Sequence, residues 1–295
     1  MRTHVLWPLN MSLRALATLL ITILIAGIIA LGASHIARTH TGEKKFRGNP
    51  ILYAETSTTS PPLSTLIGTN EKRVNLPILV YHVVRPSYPS DSVSVRAIAM
   101  TPEIFDAEMS HLKNAGYHVV RFSDLEAYFS SNTPLPFRPV ILSFDDGWSD
   151  QFIYAFPILQ KYQYPATFFV FTNAIGHKGF LTWDNLHALV AAGMTIGDHT
   201  RSHPYLTSIT STTTLRSEIE GSQKILKERL GVPVNEFAYP FGQYNPTIVS
   251  IVREAGYSAA RGDYYTGEQS ADRLFELSAT NAPTTTARFE QLFPR

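Results

Sequence analysis

The chain of 295 residues has no cysteine, which excludes disulfides and thiolate metal sites. It also lacks a dominant charge. Twenty-five basic residues face 24 acidic ones with no long basic block, so nothing in it calls for nucleic acid. Pervasive disorder does not fit either, because 44% of the residues are hydrophobic, enough for a sizeable core in one large domain or two ordinary ones.

One long stretch without charge is present, the nineteen residues Ala15 to Ala33, interrupted by Thr18, Thr22, Gly27 and Gly32. That length spans a bilayer. The expectation is a single N-terminal transmembrane helix at 15–33, after a short segment 1–14, serving as a signal anchor or as a signal peptide cut near Gly32 to Ser34. A buried core helix is the alternative. Arg2 and Arg14 precede the stretch and Arg38, Lys44, Lys45 and Arg47 follow it, so the positive-inside rule alone opposes export. Residues 34–75 are rich in Thr, Ser and Pro without a period and read as a flexible linker, leaving a folded domain over 76–295.

Within that domain helices and strands alternate. Three helical patterns close on Ala-Gly, at Ala115-Gly116, Ala192-Gly193 and Ala255-Gly256, where glycine accepts the left-handed conformation that ends a helix. Helix starts are expected at Thr101-Pro102, at Ser123 with Glu126, and at Asn245-Pro246. The longest helix is expected over 213–230, with Leu215, Ile219, Leu226 and Leu230 inward and Gly231 ending it. Short apolar runs at 77–84, 118–122, 140–144, 166–171, 195–198 and 237–239 read as strands buried on both faces. They imply a parallel α/β sheet or barrel, whose chemistry gathers at the carboxyl ends of its strands.

Four of those ends are polar. P-V-I-L-S-F-D-D-G at 139–147 runs an apolar strand into Asp145 and Asp146, which extended backbone would point to opposite faces. T-I-G-D-H-T-R-S-H-P at 195–204 places His199 and His203 four apart, a spacing that stacks two imidazoles on one face of a helical turn. I-L-V-Y-H ends on His82, and F-A-Y-P-F-G spans 237–242. Each feature has a plain structural alternative: surface histidines near a turn, a hydrogen-bonded core histidine, an ordinary turn, an aspartate capping a helix. One carboxylate and two neutral imidazoles, however, suit zinc or another divalent transition metal and leave a position for water.

Together, F-D-D-G at 144–147, H-T-R-S-H-P at 199–204 and Y-P-F-G at 239–242 resemble the ordered motifs of the polysaccharide deacetylase family (NodB-homology domain). The early I-L-V-Y-H is similar to the branch containing the poly-N-acetylglucosamine deacetylases. The resemblance implies a distorted, incomplete (β/α) barrel over residues 77–282. It implies a divalent cation, Zn2+ or alternatively Co2+ or Ni2+, held by Asp146, His199 and His203, with Asp145 as general base and His82 as catalytic acid. It further implies that the cation lowers the pKa of a water, Asp145 takes its proton, the metal and the Phe241 backbone N–H hold the oxyanion, and His82 protonates the departing amine.

Tyr81, Trp148, Trp183, Tyr239 and Phe241 are expected either to stack on sugar or to pack the core, with Trp148 the first choice for a substrate contact. The arginine that many relatives carry before the third-motif proline is replaced here by Ala238, and L-S-A-T-N-A at 277–282 lacks the later one. Arg201, Arg261 and Arg273 are the candidates to substitute. The usual C-terminal L-x-H motif is missing as well, which His82 explains. The expectation is a membrane-anchored hydrolase that removes N-acetyl groups from an N-acetylglucosamine-containing polysaccharide outside a bacterial cytoplasmic membrane, or a secreted one if the leader is cleaved. The alternatives are a glycan O-acetyl esterase and a non-catalytic carbohydrate-binding relative.

Overall fold

The computed structural model describes residues 72–262 and 267–295. The expected span at 15–33 and nearly all of the 34–75 linker lie outside them. Among the described residues no helix is long and apolar enough to cross a membrane. Regular structure starts slightly before Leu76: strand Arg73–Asn75 pairs antiparallel with Glu268–Ser270.

The central sheet comprises β1 (Ile78–Tyr81), β2 (His118–Val120), β3 (Pro139–Phe144), β4 (Thr167–Val170), β5 (Thr195–Asp198), β6 (Glu236–Ala238), β7 (Ala259–Arg261) and β8 (Thr280–Asn281). Its order is β7-β6-β5-β4-β3-β1-β8, with β2 also joined to β3, and every pairing is parallel. Among the described residues no ladder joins the terminal strands β7 and β8, and Arg261 makes only an isolated bridge to Leu277, which precedes β8, so the barrel is incomplete.

Helices α1 (Pro102–Asn114), α2 (Phe122–Ser131), α3 (Phe156–Tyr162), α4 (Trp183–Ala191), α5 (Thr212–Leu230) and α6 (Pro246–Glu254) connect the strands. Their ends follow the side-chain chemistry. Thr101 and Asn245 accept from the backbone N–H of Ile104 and Ile248, and Ser211 caps α5 through Thr214. Gly116, Gly193, Gly231 and Gly256 all have left-handed φ. Helix α2 departs from expectation, because Ser123 does not cap it. The chain turns two residues earlier, at Arg121, whose N–H donates to the Asp124 carboxylate at 2.8 Å.

The two-residue period of the strands sorts the core into two layers. Leu79, Tyr81, Phe144, Phe168 and Val170 pack outward beneath the helices, in one cluster with Phe105, Leu186, Ile219 and Ile248. Ile78, Val80, Ile141, Phe169, Ala238 and Ala259 form a smaller inner cluster. Gly197 belongs to that interior by necessity: a Cβ there would meet the Phe169 ring at 2.4 Å. Extending the inner rows to the carboxyl ends of their strands reaches His82 after Val80, Asp145 after Ile141 and Ser143, His199 after Gly197, and Arg261 after Ala259. Alternation alone therefore delivers the polar strand ends to one mouth.

Candidate active site

At the end of β3 the two aspartates do not diverge as extended backbone would require. Asp146 has φ +71° and Gly147 φ +71°, so the chain leaves the strand at Asp146 and turns both carboxylates toward the same imidazole. Glycine is needed at 147, since a Cβ would lie 2.9 Å from Val170 Cγ1. His199 Nε2 is 3.9 Å from Asp145 Oδ2 and 3.8 Å from Asp146 Oδ1. His203 Nε2 is 3.3 Å from the same Asp146 oxygen.

The H-x-x-x-H segment is not helical, contrary to the stacked-turn expectation. Thr200 (φ +72°) and His203 (φ +57°) are both left-handed, and the turn is written by side chains. The buried Asp198 carboxylate accepts from Thr200 N at 2.8 Å, and Thr200 Oγ1 accepts from His203 N at 3.0 Å. Glu218 of α5 accepts from both the N–H and the hydroxyl of Ser202. The result places the two imidazole centroids 4.7 Å apart.

These groups form a compact donor set. One ligand atom from each of Asp146, His199 and His203 lies within 4.8 Å of the others. A tetrahedral cation with bonds of about 2.0–2.2 Å needs donors roughly 3.5 Å apart, which the two distances from Asp146 to the histidines, 3.8 and 3.3 Å, approach. Outer contacts orient the donors. The Ala238 carbonyl lies 2.7 Å from His199 Nδ1, which leaves Nε2 facing Asp146. Trp148 Nε1–H donates to Asp146 Oδ2 at 3.0 Å and so directs Oδ1 at the histidines. Burial depresses the His199 pKa to about 4, with the carboxylate of Asp145 opposing the shift, and keeps the ring neutral as a ligand must be.

Asp145 is buried, and burial alone would raise its pKa. Arg261 outweighs that, helped by His199, His82 and His203, and holds the carboxyl below the usual carboxylate range. The Arg261 guanidinium is itself 0% exposed, donates to Asp145 Oδ1, and lies 4.8 Å from the centre of the Phe169 ring. Of the three arginines that could stand in at this position, Arg201 and Arg273 are exposed on the surface. Sequence spacing did not single out Arg261, because its placement comes from strand pairing.

His82 follows β1 at the same mouth. Gln151, buried in a π-helical turn at Gln151–Ala155, donates its side-chain amide to the carbonyls of both His82 and Asp145 and so ties the two strand ends together.

The aromatic residues divide. Tyr239, an expected substrate contact, is 1% exposed and donates its hydroxyl to the Phe275 carbonyl, which makes it a core residue. Tyr81 is likewise buried, donating to Glu108, and Trp183 sits under the Arg229 guanidinium. Trp148 stacks on Phe180 at 4.6 Å. Phe241 alone of those named is strongly exposed, at 44%, and it stacks on Tyr205, which the sequence reading passed over.

Comparison with known proteins agrees with this architecture. The polysaccharide deacetylase profile matches residues 132–260. YxkH of Bacillus subtilis is 28% identical over 187 residues, covering 63% of this chain and 64% of that protein, so the match spans a little under two thirds of that relative. The poly-beta-1,6-N-acetyl-D-glucosamine N-deacetylase of Staphylococcus aureus (strain MRSA252) is 27% identical over 203 residues, covering 60% of this chain and 68% of the relative. Among solved structures, a Streptococcus pyogenes deacetylase in complex with acetate superposes with a TM-score of 0.69 at 26% identity, covering 76% of this chain and all of that one.

Proposed function

This chain belongs to the polysaccharide deacetylase family, and from that premise we propose that it is a metal-dependent hydrolase removing N-acetyl groups from an N-acetylglucosamine-containing polysaccharide. The observation that carries the reading is the separation of roles between adjacent carboxylates: Asp146 faces the two imidazoles, while Asp145 is engaged by a buried arginine. A pure binding site gains nothing from the second, unligated carboxylate.

A divalent cation held by Asp146, His199 and His203 would supply Lewis acidity, acidifying a water and polarising the acetyl carbonyl. Asp145, kept ionised by Arg261, accepts the proton of the attacking water. The backbone N–H of Phe241 donates to the developing oxyanion; Pro240, one residue earlier, has no N–H to offer. His82 is the proton donor to the sugar nitrogen as the C–N bond breaks. Trp148 holds the free oxygen of Asp146, so its part is orientation of a ligand. The same proposal locates the domain outside the cytoplasmic membrane, where a polymeric acetylated glycan of the cell envelope would be met.

Acetate release tests the reading. The full chain, stripped of metal and then restored, is offered N-acetylated and O-acetylated glucosamine oligosaccharides. Metal-dependent release from the N-acetylated set is expected, and Asp145→Asn should abolish it while metal content stays near wild type. Release confined to O-acetyl substrates would convert the assignment to an esterase, and no release from either would leave a carbohydrate-binding relative.

A further inference from the structure

Phe241 is costly where it stands. Its backbone is left-handed (φ +58°, ψ +17°), a conformation that L residues other than Asn and Asp seldom adopt, and its ring is 44% exposed beside Tyr205 at 50%. Glycine would relieve the backbone strain and remove the exposed apolar surface. The ring instead lies parallel to Tyr205, with centroids 3.8 Å apart and 9° between planes, and meets His203 edge-on at 4.6 Å. A two-ring platform thus abuts a residue of the candidate metal set.

Size and surroundings indicate what it takes. Two half-exposed rings offer on the order of 200 Å² of apolar surface, far below a protein-docking interface and close to one face of a pyranose. Two residues on from each ring stand neutral hydrogen-bonding side chains, Thr207 donating to Gln243 at 3.2 Å. Trp148 fits the same purpose less well, since it is only partly exposed and its N–H is committed to Asp146. We infer that Tyr205 and Phe241 form a sugar-binding subsite for a neighbouring residue of the glycan, making the enzyme prefer polymer over short oligosaccharides. The inference rests on the function proposed above and adds the residue that sets chain-length preference, Tyr205.

The test compares acetate release by the metal-restored full chain from a β-1,6-linked N-acetylglucosamine disaccharide and pentasaccharide. Tyr205→Ala should lower kcat/KM on the pentasaccharide about tenfold, through KM, with the disaccharide within about twofold and metal content unchanged. Tyr205→Trp should retain the preference. Equal losses on both substrates would reduce the stack to a brace for His203 and overturn the inference, as would no loss on either. Binding provides a readout independent of turnover: pentasaccharide affinity, measured by titration calorimetry, should fall about tenfold in Tyr205→Ala. If wild type released no acetate at all, the proposed hydrolysis would fail while weaker binding by the variant would still support the subsite; unchanged binding, or none by wild type, would overturn it.

Discussion

Arg261 stands directly opposite Ala238 in the parallel pairing of the last two strands on that side of the sheet, and its guanidinium closes on Asp145. The small side chain at 238 and the large one at 261 point into the same interior, so an arginine on the neighbouring strand occupies space that a longer residue at 238 would fill. Replacing Arg261 strands a buried carboxylate, which costs stability as well as function. Arg261→Ala should reduce kcat at least about 100-fold with metal content preserved, and lower the Tm. Arg261→Lys, which keeps charge without the two-pronged fork, should fall between. Steady-state kinetics and metal analysis on the same preparations check this, and full activity in Arg261→Ala would remove the residue from the account.

Trp148 is expected to act on the metal through Asp146. Trp148→Phe keeps a ring against Phe180 and deletes the N–H that holds Asp146 Oδ2. Metal affinity should weaken about 10- to 100-fold, and saturating metal should recover most of the activity. A chelator competition titration reads the first quantity. Unchanged affinity would mean the indole contact is incidental.

His82 separates amide from ester chemistry. An amine leaves poorly without a proton, whereas a nitrophenolate leaves unaided. His82→Asn should therefore lose about 100-fold or more on N-acetylglucosamine oligosaccharides and lose little on 4-nitrophenyl acetate. Parallel losses on both substrates would assign His82 to structure.

Glu108 makes stability depend on pH. Burial, partly offset by the hydrogen bond from the Tyr81 hydroxyl, raises its pKa to about 9, against a usual carboxyl value of 4.5. The folded state therefore holds a proton that the unfolded chain has already released. The stabilisation is complete below about 4.5 and lost as pH rises toward about 9. Glu108→Gln should flatten the decline of Tm across that window while still accepting from Tyr81. A decline as steep as in wild type would show that other buried acids, such as Glu236 and Asp198, dominate it.

How much of this could be read in advance depends on whether a relationship runs along the chain or across it. Asp145, His199 and His82 were legible because each ends an inward-facing row of a short strand, and alternation is a property of the chain itself, whereas Asp146 and His203 were legible only from the motifs that carry them. Helix ends with a capping side chain or a glycine were legible for the same reason. Arg261 was narrowed to one of three, since only the register with Ala238 brings it to the base. The turn at 199–203 was misread as helical because Asp198 and Glu218, the latter from a helix that follows, override the local spacing. Tyr239 was given to substrate because a strand-end aromatic does not announce whether its hydroxyl is tied inward. Tyr205 was missed altogether; an aromatic immediately after H-P in the second motif was the available signal, and only the fold sets it against Phe241.

The convergence of Asp146, His199 and His203 on one cation carries the whole account. An anomalous-difference map from crystals of the full chain soaked with Co2+ or Zn2+ addresses it directly. The account predicts a single strong peak about 2.0–2.2 Å from Asp146 Oδ1, His199 Nε2 and His203 Nε2, and none at Asp145. A peak bridging Asp145, or none at this mouth while the ion binds elsewhere on the protein, would contradict it.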